Sequence, residues 1–327
     1  MNRIAVIGGG AFGTALANAA ALAGREVVLW LRDPRRAAIL SGTRENPLLP
    51  GIALLPEVLP TADLADLSGA GAALLVVPAQ AMRAALAGPA SHLPAACPLV
   101  ICAKGIERET GLFMSEVAEA ARPAAPLAVL SGPSFAADLA RGLPTAVTLA
   151  AREEALAARL AAALSGPGFR LYHATDIRGV EIGGAAKNVL AIAAGIVAGL
   201  RLGESARAAL VARGFAELQR FAAAHGARPE TLMGLSGLGD VVMSCSSPQS
   251  RNFAFGLRLG AGEPPAKAGE GKLAEGAFTA EALLQRSRAR GVEMPVAEAV
   301  ADVLAGRRSV ADAAADLMAR PLKPERG

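Results

Sequence analysis

The sequence predicts an α/β protein in which an N-terminal parallel-sheet domain is followed by an all-α C-terminal domain. Its 327 residues exceed what one hydrophobic core usually organises, and 53% hydrophobic against 19% charged residues supply apolar material for two domains. Before residue 175, short aliphatic runs alternate with longer Ala- and Leu-rich stretches, whereas after residue 182 only helical periodicity continues. The third observation is a glycine-rich turn directly after the first aliphatic run.

Strands and crossover helices are predicted for the first domain, residues 1–182. Each strand is an aliphatic run without polar alternation, so both of its faces are expected to be buried, as in a parallel sheet. The stretches between them, such as 12–23 and 152–164, are long enough for helices that cross over the sheet. The predicted strands are 4–7, 27–31, 73–77, 99–102, 127–130, 145–149 and 169–173.

The second domain, residues 183–327, is predicted to be helical. Its helical segments are 183–200, 206–226, 279–290 and 296–304. The first of these is nearly apolar and approaches the length of a membrane span. Lys187 and Asn188 interrupt it, however, and its Gly- and Ala-rich composition suits close helix packing, so no membrane span is predicted.

Composition and the N-terminal sequence indicate which partners and which cellular compartment to expect. The formal net charge is +4, but the basic residues are mostly scattered arginines and only 3% of residues are aromatic, so no nucleic-acid partner is expected. Cys97, Cys102 and Cys245 lack a CxxC spacing and are expected to be buried thiols. The histidines are isolated, so no metal site is predicted, and the N-terminus lacks a signal-peptide pattern, which favours a cytoplasmic location.

Residues 8–13 form the motif G-x-G-x-x-G between the first strand and the first helix. Gly8 would allow the tight turn, Gly10 would let the backbone approach a pyrophosphate, and Gly13 would let helix and strand pack closely. A glycine turn without a ligand is the competing interpretation.

The position of this motif between a strand and a helix completes the fold prediction. The predicted fold class is α/β, with an N-terminal Rossmann-type parallel sheet domain followed by an all-α C-terminal domain.

Arg32, at the end of the second predicted strand, bears on the choice of nicotinamide cofactor. A guanidinium can pair with the 2′-phosphate of NADPH, whereas an acidic residue there would favour the ribose hydroxyl of NADH. NADP (NADPH) is therefore favoured and NAD tolerated. In the alternative interpretation, Arg32 is a solvated strand end and Asp33 merely caps the helix that begins at Pro34.

Two lysines stand where a solubilising lysine is not expected. Lys104 follows an apolar strand at the sheet edge where α/β proteins bind ligands. Lys187 lies among apolar residues of a helix with no carboxylate at i±4, so its ammonium is costly to bury without a partner. Lys187 either reaches a surface or acts in a site where a substrate oxygen engages it.

Two further polar clusters interrupt the apolar pattern of the second domain. Asp240 follows the glycines at 237 and 239, at a predicted helix start. Ser250, Arg251 and Asn252 place a hydroxyl, a guanidinium and an amide at another helix start, a composition that suits a phosphate. Either cluster alone could equally be an ordinary helix N-cap.

Several motifs occurring in order identify a family resemblance. They lie at 8–17, 46–51 (Asn46 and Leu49-Pro50-Gly51), 103–111, 131–136, 183–188, 237–240, 249–252, 275–276 and 291–295. The chain resembles the bacterial NAD(P)-dependent glycerol-3-phosphate dehydrogenases over nearly its whole length. The implied reaction is reversible hydride transfer between NAD(P)H and C2 of dihydroxyacetone phosphate, giving sn-glycerol 3-phosphate for glycerophospholipid synthesis.

The resemblance also implies roles for individual residues. Lys187 would be the catalytic acid/base, assisted by Lys104 and Asp240. Substrate contacts would fall on Lys104, Gly132, Ser134, Lys187, Asp240, Ser250, Arg251 and Asn252. Cofactor contacts would fall on Gly8, Gly10, Ala11, Phe12, Gly13, Arg32, Lys104, Ala136, Arg251, Leu273 and Glu275. Ala11 stands where many relatives carry Ser, which removes one hydroxyl contact to the cofactor.

Two other functions stay open from the residues alone. One is a two-domain dehydrogenase of the 3-hydroxyacid or ketopantoate type, whose carboxylate substrate could also use Arg251. The other is a non-catalytic NAD(P)-sensing protein, which would leave Lys187 without a purpose. The expected partner is a small phosphorylated molecule, and the oligomeric state is open, with a homodimer among the options.

Overall fold

The computed structural model describes residues 1–269 and 275–319. Contacts between described residues divide the chain into two compact units. The first consists of Met1–Gly184 and Gly226–Asp240, and the second of Ala185–His225 and the described part of Val241–Gly327. The assignment of residues 1–182 and 183–327 as functional domains stays a prediction.

The first unit is built on one sheet. Its strands are β1 (Arg3–Ile7), β2 (Glu26–Trp30), β3 (Val58–Thr61), β4 (Ala72–Leu75), β5 (Leu99–Ile101), β6 (Leu127–Ser131), β7 (Thr145–Ala151) and β8 (Phe169–Ala174). They are ordered β3-β2-β1-β4-β5-β6-β7-β8. The first six follow the Rossmann order, which reverses direction beside β1. The predicted Rossmann-type domain is therefore confirmed.

The described helices cover this sheet and build the second unit. They are α1 (Ala11–Leu22), α2 (Pro34–Thr43), α3 (Met82–Ala87), α4 (Met114–Ala121), α5 (Ala136–Ala140), α6 (Glu154–Leu164), α7 (Ile177–Gly199), α8 (Glu204–Ala224), α9 (Pro229–Met233), α10 (Asp240–Ser246), α11 (Arg251–Gly260), α12 (Pro265–Ala268), α13 (Glu275–Arg288), α14 (Pro295–Leu304) and α15 (Val310–Met318). A π-helical turn, Leu235–Gly239, precedes α10. The predicted helical character of the second domain is confirmed.

The central strands are buried on both faces, as expected from their lack of polar alternation. In β1, Ile4 and Val6 belong to the core beneath α1 and α6, whereas Ala5 and Ile7 belong to the core beneath α3 and α4. All four are fully buried. Successive residues of β1 from Ile4 to Ile7 are therefore apolar whichever way their side chains point.

The same expectation of burial on both faces is wrong for β8, which lies at a sheet edge and exposes Arg170, Tyr172 and His173. Two further features of the sheet differ from the prediction. The pair β6–β7 is antiparallel, whereas a parallel sheet was expected. The connection between these strands carries only the five-residue helix α5, which is too short to return the chain across the sheet. Strand β3 was not predicted, because Pro60 interrupts it; proline is tolerated there because β3 lies at the sheet edge.

Glycines set the packing of α7 against α11 in the second unit. A Cβ at Gly195 would lie 2.1 Å from the carbonyl oxygen of Phe253, and one at Gly256 would lie 2.1 Å from that of Ile192. Later residues of α7 contact later residues of α11, since Gly195 faces Phe253 and Gly199 faces Leu257. The two helices therefore run parallel at backbone contact distance. This arrangement brings the N-terminus of α11 beside the turn of α7 that contains Asn188.

Helix α7 begins at Ile177, six residues before the predicted start, and is the only described helix long and apolar enough to cross a membrane. Of its most apolar window, 89% is buried inside the protein. Such burial is what a core helix of a folded domain shows.

Candidate active site

The glycine turn lies where the strand order reverses. Gly8 follows β1 with φ +123°, and a Cβ there would lie 2.3 Å from the carbonyl oxygen of Val76, just beyond β4. A Cβ at Gly13 would lie 1.9 Å from the carbonyl oxygen of Gly8. These two glycines are therefore required by the backbone itself.

Gly10 differs from Gly8 and Gly13, because a Cβ there would meet no described atom within 4 Å. Gly10 is the N-cap residue of α1, and none of the described side chains caps this helix. Ala11 and Phe12, half-buried, begin it. The amide groups of the first turn thus face room for an anion, and the turn fits the pyrophosphate of a dinucleotide.

Two side chains hold the Gly9 carbonyl from outside the turn. Arg36 Nη2 and Asn46 Nδ2 each donate to it at 3.2 Å. The sequence contained Asn46 within a resemblance motif but gave it no role, and Arg36 received none either. Arg36 is 27 residues and Asn46 is 37 residues from Gly9 in sequence. No local sequence pattern could therefore have predicted these two contacts.

Arg32 lies two residues beyond the end of β2 and is exposed. Asp33 is the N-cap of α2, and its Oδ1 accepts from the backbone N–H of Arg35 at 2.9 Å. The capping role considered for Asp33 is therefore present. Arg32 itself is an exposed residue just beyond the carboxyl end of β2, as its interpretation as a solvated strand end also allows.

Lys104 is held by two partners of the first unit. Its Nζ donates to Asp240 Oδ2 at 2.6 Å and to the Gly132 carbonyl at 3.0 Å, and Ser134 Oγ donates to the same carbonyl at 3.2 Å. The Asp240 side chain is fully buried, and that of Lys104 is 15% exposed. A buried carboxylate needs such a partner, so each charge fixes the position of the other. Ala136, half-buried, begins α5 shortly after this carbonyl.

The neighbouring Cys102 is a thiol at neutral pH and no nucleophile. Burial raises the pKa of its thiol to about 12, and the Lys104 charge offsets only part of that rise. Cys97 and Cys245 are buried and free as well, which confirms the expectation of buried thiols. Within 1–269 and 275–319, no cluster of three or more His, Cys, Asp or Glu side chains could hold a metal ion.

Lys187 lies within the second unit and is 7% exposed. Its Nζ donates to the buried Ser244 Oγ on α10 at 2.7 Å. The ammonium is thus held by a specific partner, whereas a lysine that only snorkels would extend its amine into solvent.

The three polar residues at the start of α11 have different surroundings. Ser250 is the N-cap, and its Oγ accepts from the Phe253 N–H, as the N-cap alternative anticipated. Arg251 is exposed. Asn252 joins α11 to its neighbours, because its Nδ2 donates to Asn188 Oδ1 at 2.9 Å and its Oδ1 accepts from the backbone N–H of the first turn of α13 at 3.0 Å.

The predicted site residues are therefore divided between the two units. The first unit holds the glycine turn, Arg32, Lys104, Gly132, Ser134, Ala136 and Asp240. The second holds Lys187, Ser250, Arg251, Asn252 and Glu275, the first residue of α13. Leu273, a predicted cofactor contact, lies outside the described residues.

Comparison with known families covers both halves of the chain. Residues 3–157 match the family profile described as NAD-dependent glycerol-3-phosphate dehydrogenase N-terminus, and residues 176–315 match the corresponding C-terminus profile. The chain belongs to the NAD-dependent glycerol-3-phosphate dehydrogenase family. The resemblance stated from the sequence motifs is confirmed, and this dehydrogenase is an NAD(P)-dependent oxidoreductase. The ketopantoate-type and non-catalytic alternatives are set aside.

Individual relatives agree along the whole length. The chain is 65% identical over 324 residues to the glycerol-3-phosphate dehydrogenase (NAD(P)+) of Methylobacterium radiotolerans, covering 98% of each chain. It is 63% identical over 326 residues to that of Azorhizobium caulinodans, covering 99% of this chain and 98% of the relative. The crystal structure of the Coxiella burnetii glycerol-3-phosphate dehydrogenase superposes with a TM-score of 0.93 at 35% identity, covering 98% of this chain and 99% of the other.

Proposed function

We propose that this dehydrogenase reduces dihydroxyacetone phosphate reversibly to sn-glycerol 3-phosphate, for glycerophospholipid synthesis, with NADPH favoured and NADH tolerated. Family membership of both halves of the chain carries this proposal. The fit of the glycine turn to a pyrophosphate supports it. When bound, the cofactor supplies the hydride that is added to C2 of the substrate. A cytoplasmic location and a homodimeric state stay predictions.

Lys187 is proposed as the proton donor. Reduction of the ketone develops negative charge on the C2 oxygen, which an adjacent ammonium stabilises and then protonates. The buried position of Lys187 strengthens that electrostatic effect, because little water screens the charge. Ser244 accepts one of the three ammonium hydrogens, which helps to orient the group.

Lys104 and Asp240 are proposed to position charge next to the substrate, together with Gly132 and Ser134. The Asp240 carboxylate holds the Lys104 ammonium at 2.6 Å, so this lysine needs no reorganisation when substrate arrives. An ammonium fixed in this way suits electrostatic stabilisation.

The start of α11 is proposed to bind the substrate phosphate. Its first amide groups and helix dipole favour an anion, and Arg251 adds a positive charge at the same end. Ser250 can donate its hydroxyl hydrogen while its oxygen caps the helix. Asn188 takes one of the two amide hydrogens of Asn252, which leaves the second for a phosphate oxygen.

The cofactor is proposed to lie along the carboxyl edge of the sheet. Its proposed contacts are Gly8, Gly10, Ala11, Phe12, Gly13, Arg32, Lys104, Ala136, Arg251, Leu273 and Glu275. Among them Arg32 is proposed to decide the preference for NADPH, because it offers an exposed guanidinium just beyond β2.

Arg32→Asp is expected to shift the cofactor preference from NADPH toward NADH. The carboxylate repels the 2′-phosphate but accepts a hydrogen bond from the 2′-hydroxyl of NADH. The ratio of kcat/KM with NADPH to kcat/KM with NADH should fall by a factor that corresponds to about 1.5–3 kcal/mol, the scale of a hydrogen bond to a charged group. Arg170→Asp, at an exposed position of β8, is the matched control for the change in net charge. A ratio unchanged from that of the control would show that Arg32 does not read the cofactor.

The proposed activity is tested by following NADPH oxidation with dihydroxyacetone phosphate, unphosphorylated dihydroxyacetone and ketopantoate. We expect kcat/KM for the phosphorylated ketone to exceed the other two by about 10²-fold or more, because the phosphate contributes binding energy that positions C2. Comparable rates with dihydroxyacetone, or a preference for ketopantoate, would contradict the substrate assignment.

A further inference from the structure

The carbonyl of Gly9, inside the glycine turn, is fixed by a side chain distant in sequence. Asn46 Nδ2 donates to it at 3.2 Å, and Asn46 is only 1% exposed. Arg36 Nη2 donates to the same oxygen from an exposed position on α2. The buried, short side chain is the more rigid of these two donors, because it has fewer rotatable bonds to order.

The orientation of the Asn46 amide is itself determined. Its Nδ2 also donates to Thr14 Oγ1 on α1 at 2.7 Å, and its Oδ1 accepts from the Leu48 N–H at 3.0 Å. Turning the amide over would set its oxygen against the Gly9 carbonyl oxygen and its nitrogen against the Leu48 N–H. The donor directed at Gly9 is therefore locked in place.

Holding the Gly9 carbonyl also orients the next amide. The chain has no cis peptide bond in its described part, so the carbonyl of Gly9 and the N–H of Gly10 point in opposite directions. The Gly10 N–H is thereby directed away from Asn46, and Gly10 borders open space. Glycine on both sides makes this peptide easy to rotate, since neither residue has a Cβ to restrict it.

We propose that Asn46 is a positioning residue for the cofactor: it holds the Gly9–Gly10 peptide so that the Gly10 N–H faces the pyrophosphate of NAD(P). Asn46 itself touches the turn and not the cofactor. The inference rests on the proposed binding of NAD(P) at this turn. It gives a function to Asn46 of the 46–51 motif, to which no catalytic or binding role is assigned above.

Asn46→Asp tests the proposal with little change in volume. It keeps the acceptor for Leu48 but replaces the donor to Gly9 with an oxygen. Thr14→Val is the matched control, because it removes the other partner of the same amide and leaves the Gly9 contact. Asn46→Ala is the second variant should the buried carboxylate prevent folding. Binding of NADH, NADPH and ADP-ribose is measured by calorimetry and by quenching of the single tryptophan, Trp30, alongside thermal unfolding and steady-state kinetics.

In the Asn46 variants we expect the Kd of all three ligands to rise by the same factor, about tenfold, because all three share the pyrophosphate. The KM for dihydroxyacetone phosphate and kcat at saturating cofactor should change by less than about twofold, and Thr14→Val should leave the Kd values within that range. A lower unfolding temperature with unchanged Kd, or equal Kd losses in Thr14→Val, would overturn the proposal and leave Asn46 as a purely structural residue. Failure of the wild-type protein to bind NADH would instead refute the proposed cofactor site.

Discussion

Lys187→Met is expected to lower kcat by about 10²–10⁴-fold, the range for loss of a positioned general acid. Methionine matches the length of lysine and its apolar stem but has no proton to donate. Because Lys187 is only 7% exposed, its replacement by an apolar residue of similar volume should leave the free energy of unfolding nearly unchanged. The loss should therefore appear in turnover and not in folding.

The measurement compares kcat, the Kd for NADPH and the unfolding temperature of this variant with those of Lys267→Met. Lys267 is an exposed lysine on α12, so the same chemical change there should affect none of the three quantities. Wild-type turnover in Lys187→Met would remove this residue from the chemistry. An equal loss in both variants would mean that the assay reports on protein quality and not on proton transfer.

Arg251→Ala is expected to reduce kcat/KM for dihydroxyacetone phosphate. The corresponding loss of transition-state stabilisation is about 2–5 kcal/mol, the scale for removing one partner of a charge pair that is desolvated in the complex. The low activity on unphosphorylated dihydroxyacetone should fall much less, because that ketone offers the guanidinium no phosphate. The difference between the two substrates isolates phosphate binding from any general effect on catalysis.

Arg251 is also a proposed cofactor contact, so the Kd for NADPH is measured in the same variant and its loss subtracted. Arg213→Ala, an exposed arginine on α8 of the second unit, is the matched control and should leave both substrates unaffected. Equal losses on the two ketones after subtraction would mean that Arg251 organises the site while other groups bind the phosphate.

Strand and helix assignments followed from the sequence wherever burial was uniform. Central strands such as β1 are apolar on both faces, which gives them an unmistakable pattern. Strand β3 lacked that pattern, since it lies at the edge, contains Pro60 and leaves Leu59 46% exposed. The antiparallel direction of β7 was equally hidden, because a strand's composition does not record which way it runs beside its neighbour.

The sequence by itself determined the features that depend on neighbouring residues. Gly8 and Gly13 had to be glycine because a Cβ would strike the backbone of the same turn or of the adjacent strand end, and a motif of six residues expresses that requirement. The unusual position of Lys187 was also visible locally, as a charge within an apolar helix.

Only the tertiary structure decided which of these residues meet. Lys104 and Asp240 are 136 residues apart, and Asn46 reaches Gly9 across 37. The start of α11 lies beside Asn188 because glycines allow α7 and α11 to pack backbone against backbone in one register. Such contacts depend on the free energy of packing the whole chain, and no single segment determines that free energy. Hydrogen-bond partners that are distant in sequence therefore cannot be predicted from a local sequence pattern.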